Sequence, residues 1–155
     1  QSLARHYHAA KPRDDIHETF NYLLTRGATT DRVDRMTAEW LRLAPDSAFA
    51  NLARAAYYNG AAWKARGHEF ASQTPKDNMR RMSALVDRAV PLFERALAIN
   101  PRLMPAYTGL IDVAMLDSRS ALEASTARAA ERIDPGCPEL ANVRMRALTP
   151  RWGGS

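Results

Sequence analysis

One helix stop recurs in this chain at a fixed distance. Ala-Leu-Ala-Ile-Asn-Pro (96–101) ends one helical stretch, and Ala-Ala-Glu-Arg-Ile-Asp-Pro (129–135) ends another, placing Pro101 and Pro135 34 residues apart. Proline closes a helix because it has no N–H to donate and clashes with the preceding turn. A unit that returns at this interval is a supersecondary element too small to bury its apolar face alone, so its copies must stack. Composition points the same way. Alanine, the best helix former, is abundant, and only 7 of 155 residues are Gly. Sustained alternation of Val, Ile and Thr, the mark of strands, is absent. The reading is all-α: stacked helical hairpins of about seven helices, one hairpin extended.

The 34-residue interval is the tetratricopeptide period. With Pro101 as position 32 of such a repeat, Ala89, Phe93 and Ala96 take positions 20, 24 and 27. Small residues there let paired helices approach, and Phe fills the gap to the next unit. In the following unit Ala127 stands where Phe93 did, which predicts thinner packing. Pro45 lies 56 residues before Pro101, that is 34 plus 22. The middle hairpin is therefore read as a repeat with about 22 extra residues, roughly Trp63 to Ala84.

Residues 1–13 read as a flexible arm and 14–155 as a single helical-repeat domain. A first helix starts at Asp15, with Ile16, Phe20, Leu23 and Leu24 on one stripe. Thr30 or Asp31 starts the next, with Val33, Met36, Trp40 and Leu41 inward. The third starts at Asp46 or Ser47, carries Phe49, Leu52, Ala53, Ala56, Tyr57, Gly60 and Trp63 on one face, and ends at Arg66-Gly67 with Gly67 in the left-handed conformation. Thr74-Pro75-Lys76-Asp77 predicts an N-cap at Thr74. The fourth helix contains Pro91, which predicts a kink. Pro105 opens the fifth, Asp117 or Ser118 caps the sixth, Pro138 opens the seventh, and Pro150 closes it.

Two tryptophan motifs stand outside the repeat pattern, Ala-Ala-Trp-Lys-Ala-Arg-Gly (61–67) and Leu-Thr-Pro-Arg-Trp-Gly-Gly-Ser (148–155). With Trp40 and Ala-Pro-Asp-Ser (44–47), they resemble the uncharacterised bacterial family called domain of unknown function 4034, over the stretch from about Trp40 to the end. The resemblance implies an all-helical, repeat-like fold and no established activity. Packing accounts for both motifs. The competing account has Trp63, Arg66, Arg151 and Trp152 converge on a cation–aromatic pocket for a partner.

The search for chemistry is negative. His17-Glu18 and His68-Glu69 begin like zinc-protease motifs, but Asn21 and Ser72 stand where the second histidine belongs. Cys137 is a lone cysteine, and no Gly-rich phosphate loop or nucleophile elbow occurs. No catalytic residue, cofactor or metal is expected. Net charge is +5, with 19 Arg and 3 Lys against 17 acids. Arg81, Arg88 and Arg95 lie one heptad apart as a stripe, flanked by Asp87 and Glu94. Interleaved acids, scarce Lys and the lack of a reading motif disfavour nucleic acid. No apolar run reaches the ~18 residues of a membrane span. The chain opens at Gln1, which reads as a processed or trimmed product, cytoplasmic or exported.

The expected function is a non-enzymatic protein–protein interaction scaffold with a protein or peptide partner, acidic if net charge decides. Alternatives are a toxin-neutralising immunity or inhibitor protein, or a structural domain of a larger bacterial assembly. Beyond the motif and stripe residues, Thr108, Asp112 and Met115 are expected to face the groove.

Overall fold

In a computed structural model, residues 29–149 are described. They form six α-helices and one 3-10 turn, with no strand among the described residues: α1 (Asp31–Leu43), α2 (Ala48–Arg66), the 3-10 turn (Ala71–Gln73), α3 (Lys76–Ile99), α4 (Met104–Leu116), α5 (Ser120–Ile133) and α6 (Pro138–Ala147). The expected arm at 1–13, the helix from Asp15, and Arg151 and Trp152 lie outside the described residues.

The turn after each Pro-stopped helix is built alike three times. The C-cap N–H donates to the carbonyl four residues back: Ala44 to Trp40 at 2.9 Å, Asn100 to Ala96 at 2.9 Å, Asp134 to Ala130 at 3.0 Å. Three residues on, the next N-cap N–H donates back to that C-cap carbonyl, from Ser47, Leu103 and Cys137 at 3.0, 3.1 and 3.3 Å. Asn100 and Asp134 add the same local bond, each Oδ1 accepting the N–H two residues on. These are Asx turns, and they explain why Asn and Asp stand before the prolines.

Hairpins α2–α3 and α4–α5 differ in length as the 22-residue excess predicts. Helix α3 has 24 residues against 14 in α5, about 15 Å more at 1.5 Å per residue. Helix α3 runs unbroken through Pro91. The Arg95–Asp46 ion pair, at 2.6 Å, ties the end of α3 to the start of α2. The main core joins α2, α3 and α4 around Met82, Val86, Phe93 and Val113. A smaller one lies between α4, α5 and α6 around Tyr107, Ile111 and Ala130. Ala127 sits in this second core. The Tyr107 hydroxyl donates to the Pro101 carbonyl at 2.9 Å and so locks the turn. Among the described residues no helix is long and apolar enough to cross a membrane.

Several local expectations give way to tertiary context. On α1 the buried residue is Thr37, while Met36 is 55% and Leu43 67% exposed, and Trp40 is exposed too. Polar bonds join α1 to α2: Arg54 donates to the Asp34 carboxylate at 2.5 Å and to Thr37 Oγ1 at 3.1 Å, and within α2 it donates to the Tyr58 hydroxyl at 2.9 Å. Burial works against the Arg54 charge, but Asp34 and Tyr58 outweigh it and its pKa is raised. Thr74 does not cap α3. Its hydroxyl turns back to the Phe70 carbonyl at 3.0 Å to close the 3-10 turn, and Pro75 takes the N-cap position. The N-cap of α5 is Arg119, because Asp117 is engaged by Ser83 and by Arg119 itself. Gly67 has φ 76 and ψ −166, an extended mirror-image conformation rather than the left-handed helical one, and one still open only to Gly.

Candidate functional site

Helices α2, α4 and α6 are alternate members of the up-and-down stack, so they run in the same direction. Each presents one row of residues to a shared cleft of about 610 Å³. The α2 row runs from Leu52 through Ala56, Asn59 and Gly60 to Trp63. The α4 row is Pro105, Thr108, Gly109 and Asp112; the α6 row is Glu139, Asn142, Val143 and Arg146. These rows keep the three-and-four spacing of a single helix face. From Leu52 to Trp63 the cleft is about 16 Å long at 1.5 Å rise per residue.

Phe93 of α3 forms the floor. It is fully buried, and a Cβ on Gly109 would fall 2.4 Å from its Cε1. Gly109 is therefore fixed by packing: only a residue without a side chain lets α4 lie on this ring.

Asp112 organises the far end. Its Oδ2 accepts from Asn59 Nδ2 at 2.9 Å and from Trp63 Nε1 at 2.7 Å. Its Oδ1 accepts from Arg146 Nη2 at 2.5 Å. One carboxylate thus ties all three helices together. The Arg146 guanidinium also lies 5.7 Å from the Trp63 ring centroid, within cation–π range. Asn59 is only 6% exposed. With its Nδ2 on a carboxylate, which can only accept, the amide orientation is fixed. Its Oδ1 has no hydrogen-bond partner. A buried acceptor left unpaired costs about 1–3 kcal/mol.

The expected site residues divide. Trp63, Thr108 and Asp112 meet in the cleft. Met115 does not: it is 3% exposed and belongs to the interior, because α4 is buried on nearly all sides toward its C-terminal end. Arg66 is no surface cation either. It is 2% exposed, and its Nη1 donates to the Glu69 carbonyl at 2.7 Å, so it holds the chain leaving α2. Among the described residues Arg146 is a cation that lies over Trp63. The arginine stripe lines no part of the cleft. Arg81 is exposed, Arg88 lies 5.8 Å from the Tyr58 ring, and Arg95 pairs with Asp46. Arg151 and Trp152 lie outside the described residues.

Sequence reasoning missed Asn59, Arg146, Glu139 and Asn142. A signal for Asn59 was present: Asn51, Ala55, Asn59, Ala62 and Arg66 follow helical spacing, and all five are buried. Among the described residues no group of three or more His, Cys, Asp or Glu could hold a metal ion. Cys137 is buried, which pushes its thiol pKa up, and its Sγ–H donates to Glu139 at 3.3 Å. A thiol held protonated is a poor nucleophile.

A family model for Domain of unknown function (DUF4034) matches residues 5–118. The chain belongs to that family. The match takes in the Ala-Ala-Trp-Lys-Ala-Arg-Gly motif and the α2 and α4 rows of the cleft, while α6 and the Trp-Gly-Gly-Ser motif follow it. It also begins well before Trp40, where the sequence motifs first carried the resemblance. No curated protein and no solved structure matches the chain.

Proposed function

We propose that this DUF4034 protein is a non-enzymatic protein-interaction scaffold of tetratricopeptide-like type, and that the cleft between α2, α4 and α6 holds a segment of a protein partner. The observation that carries the reading is the cleft itself. Three parallel helices contribute matched rows to one concave surface, and a carboxylate shared by all three fixes its geometry in advance. Such preorganisation lowers the ordering cost of binding. The length of the cleft suits about five residues of extended chain at 3.3 Å each. Stacked repeats offer concave surfaces of this kind to peptides. The three turns with the same backbone hydrogen bonds, spaced 56 and 34 residues apart, support the tetratricopeptide-like assignment.

The test is selection of displayed random peptides on the whole chain, followed by binding to two variants. Thr108→Trp fills the cleft from a half-buried position on α4, and Arg88→Glu reverses the stripe outside it. The selected peptides are expected to lose binding to Thr108→Trp and keep it for Arg88→Glu. Equal binding to both, with unchanged circular dichroism, overturns the reading.

A further inference from the structure

The long hairpin projects past its neighbour. Helix α3 meets the α4–α5 turn where Ser83 Oγ donates to Asp117 Oδ2 at 3.1 Å and where Asp87 pairs with Arg119. The first residues of α3, 76–82, lie beyond that contact, about 10 Å of helix at 1.5 Å per residue. Segment 67–75, which joins α2 to α3, stands at the outer end of this projection.

In that segment Phe70 is 56% exposed. A lone exposed apolar side chain is ordinary on a protein surface, but the backbone beneath this one is held from both sides. The Phe70 carbonyl accepts three donors: the N–H of Gln73 at 2.9 Å, the N–H of Thr74 at 3.0 Å and the Thr74 hydroxyl at 3.0 Å. The preceding carbonyl, of Glu69, accepts from Arg66 Nη1 at 2.7 Å. Arg66 and Thr74 are both buried. Burying a guanidinium is costly unless hydrogen bonds replace its water, and here one such bond goes to the carbonyl next to the residue that points outward. The Arg66-Gly67 end of the tryptophan motif thus fixes the stem of the tip: the guanidinium holds Glu69, and Gly67 turns the chain at φ 76. The surface around Phe70 is basic. From residue 64 to 81 the exposed ionised groups are Lys64, Lys76, Arg80 and Arg81 against Glu69 and Asp77.

We infer that the hairpin tip is a second docking surface, and that Phe70 enters an apolar pocket, rimmed by acidic residues, on a folded protein partner. Rigid presentation favours a protein. A lipid bilayer is fluid and gains nothing from a fixed backbone, and one phenyl ring contributes only about 1.5–3 kcal/mol on burial. A single-stranded nucleic acid needs successive aromatic platforms along a basic track, whereas this tip offers one phenyl ring and carries two acids. A pocket is matched by a ring whose backbone is ordered before contact, which lowers the ordering cost of binding. Acidic residues at its rim complement Lys64, Lys76 and Arg81. No residue from 64 to 82 lines the cleft, so this surface stands whether or not the cleft binds a peptide.

The experiment selects binders of the immobilised whole chain from a displayed library of small folded domains randomised over one concave face. Affinities of the selected clones are then measured by biolayer interferometry. Independent clones are expected to converge on the tip. They carry an excess of Asp and Glu at the randomised positions, and they bind Thr108→Trp as they bind the unsubstituted chain. On Phe70→Ala they lose affinity on the order of thirtyfold, the scale of an interface anchor. Thr74→Val keeps the ring and removes one of the three donors to its carbonyl, and is expected to weaken the clones several-fold. Unchanged circular dichroism verifies that each variant is folded; if Thr74→Val is not, Phe70→Ala, which alters an exposed side chain, decides by itself. The inference is overturned when the clones lose nothing on Phe70→Ala, when they are no richer in acids than the unselected library, or when folded Thr74→Val binds them as well as the unsubstituted chain does. It is equally overturned when the chain binds anionic phospholipid vesicles or a single-stranded oligonucleotide and Phe70→Ala removes that binding.

Discussion

Replacing Asp112 by Ala tests whether one carboxylate holds the three cleft helices. The substitution strands three donors. Asn59 Nδ2 is in a nearly fully buried residue, so its loss costs about 1–3 kcal/mol. Trp63 is half-buried at the cleft wall and its Nε1 can be rehydrated in part, which places its loss at about 1 kcal/mol. Arg146 has a half-exposed side chain, so breaking its pair contributes about 0–1 kcal/mol. The sum is about 2–5 kcal/mol, a large fraction of the 5–15 kcal/mol typical of a domain. At a urea dependence of about 2 kcal/mol/M this lowers the unfolding midpoint by about 1–2.5 M with unchanged slope. Urea titration followed by circular dichroism reads it directly. The double variant with Asn59→Ala should be less destabilised than the sum of the singles by about 1 kcal/mol, because Asn59 no longer loses an acceptor. A midpoint shift below about 0.3 M, or strict additivity in the cycle, refutes the reasoning.

Gly67→Ala forces a side chain into φ 76, ψ −166, and should cost about 1–3 kcal/mol in the same titration even though nothing lies within 4 Å of the added Cβ. Gly109→Ala should also destabilise, by about 1–3 kcal/mol less the helix-propensity gain of about 1 kcal/mol; adding Phe93→Leu should return part of the loss, because the obstructing atoms are those of the Phe93 ring. Cys137 should react slowly with a disulfide reagent at pH 8 in the folded chain and at the ordinary thiol rate in urea, with the folded rate still rising as pH increases. The sign follows from burial: the folded state holds the thiol proton more tightly, so this group's contribution to stability is complete below the unfolded thiol range and is lost as pH climbs through the raised value.

What the sequence could tell was local. Thr30 and Ser47 as caps, Gly67 at the end of α2 and Pro138 at the start of α6 all lie where short-range backbone chemistry puts them. The 34-residue interval located two of the alike turns, where Asn100 and Asp134 each accept a local N–H just before or within the turn that proline opens. The long hairpin was legible as a count. Where local signals competed, tertiary contacts decided. Thr74 looked like a cap yet bonds backward, and Met36 and Trp40 fit an apolar stripe yet Arg54 draws Thr37 inward instead.

The site followed the same division. Trp63, Thr108 and Asp112 could be placed on helix faces by periodicity, because one face of one helix is a property of a few successive turns. Asn59 and Asp112 are 53 residues apart, and Asp112 and Arg146 are 34 apart. Their meeting depends on how three helices stack. A helix pattern fixes which way a side chain points from its own axis, but not which neighbour stands there. The tertiary structure therefore turned Arg66 inward, sent the arginine stripe to another face, and brought Arg146 of α6 over Trp63. The sequence by itself determined the helices and the recurring turns between them, because caps and proline stops are local; only the packing of one hairpin on the next decided which polar residues share a cleft.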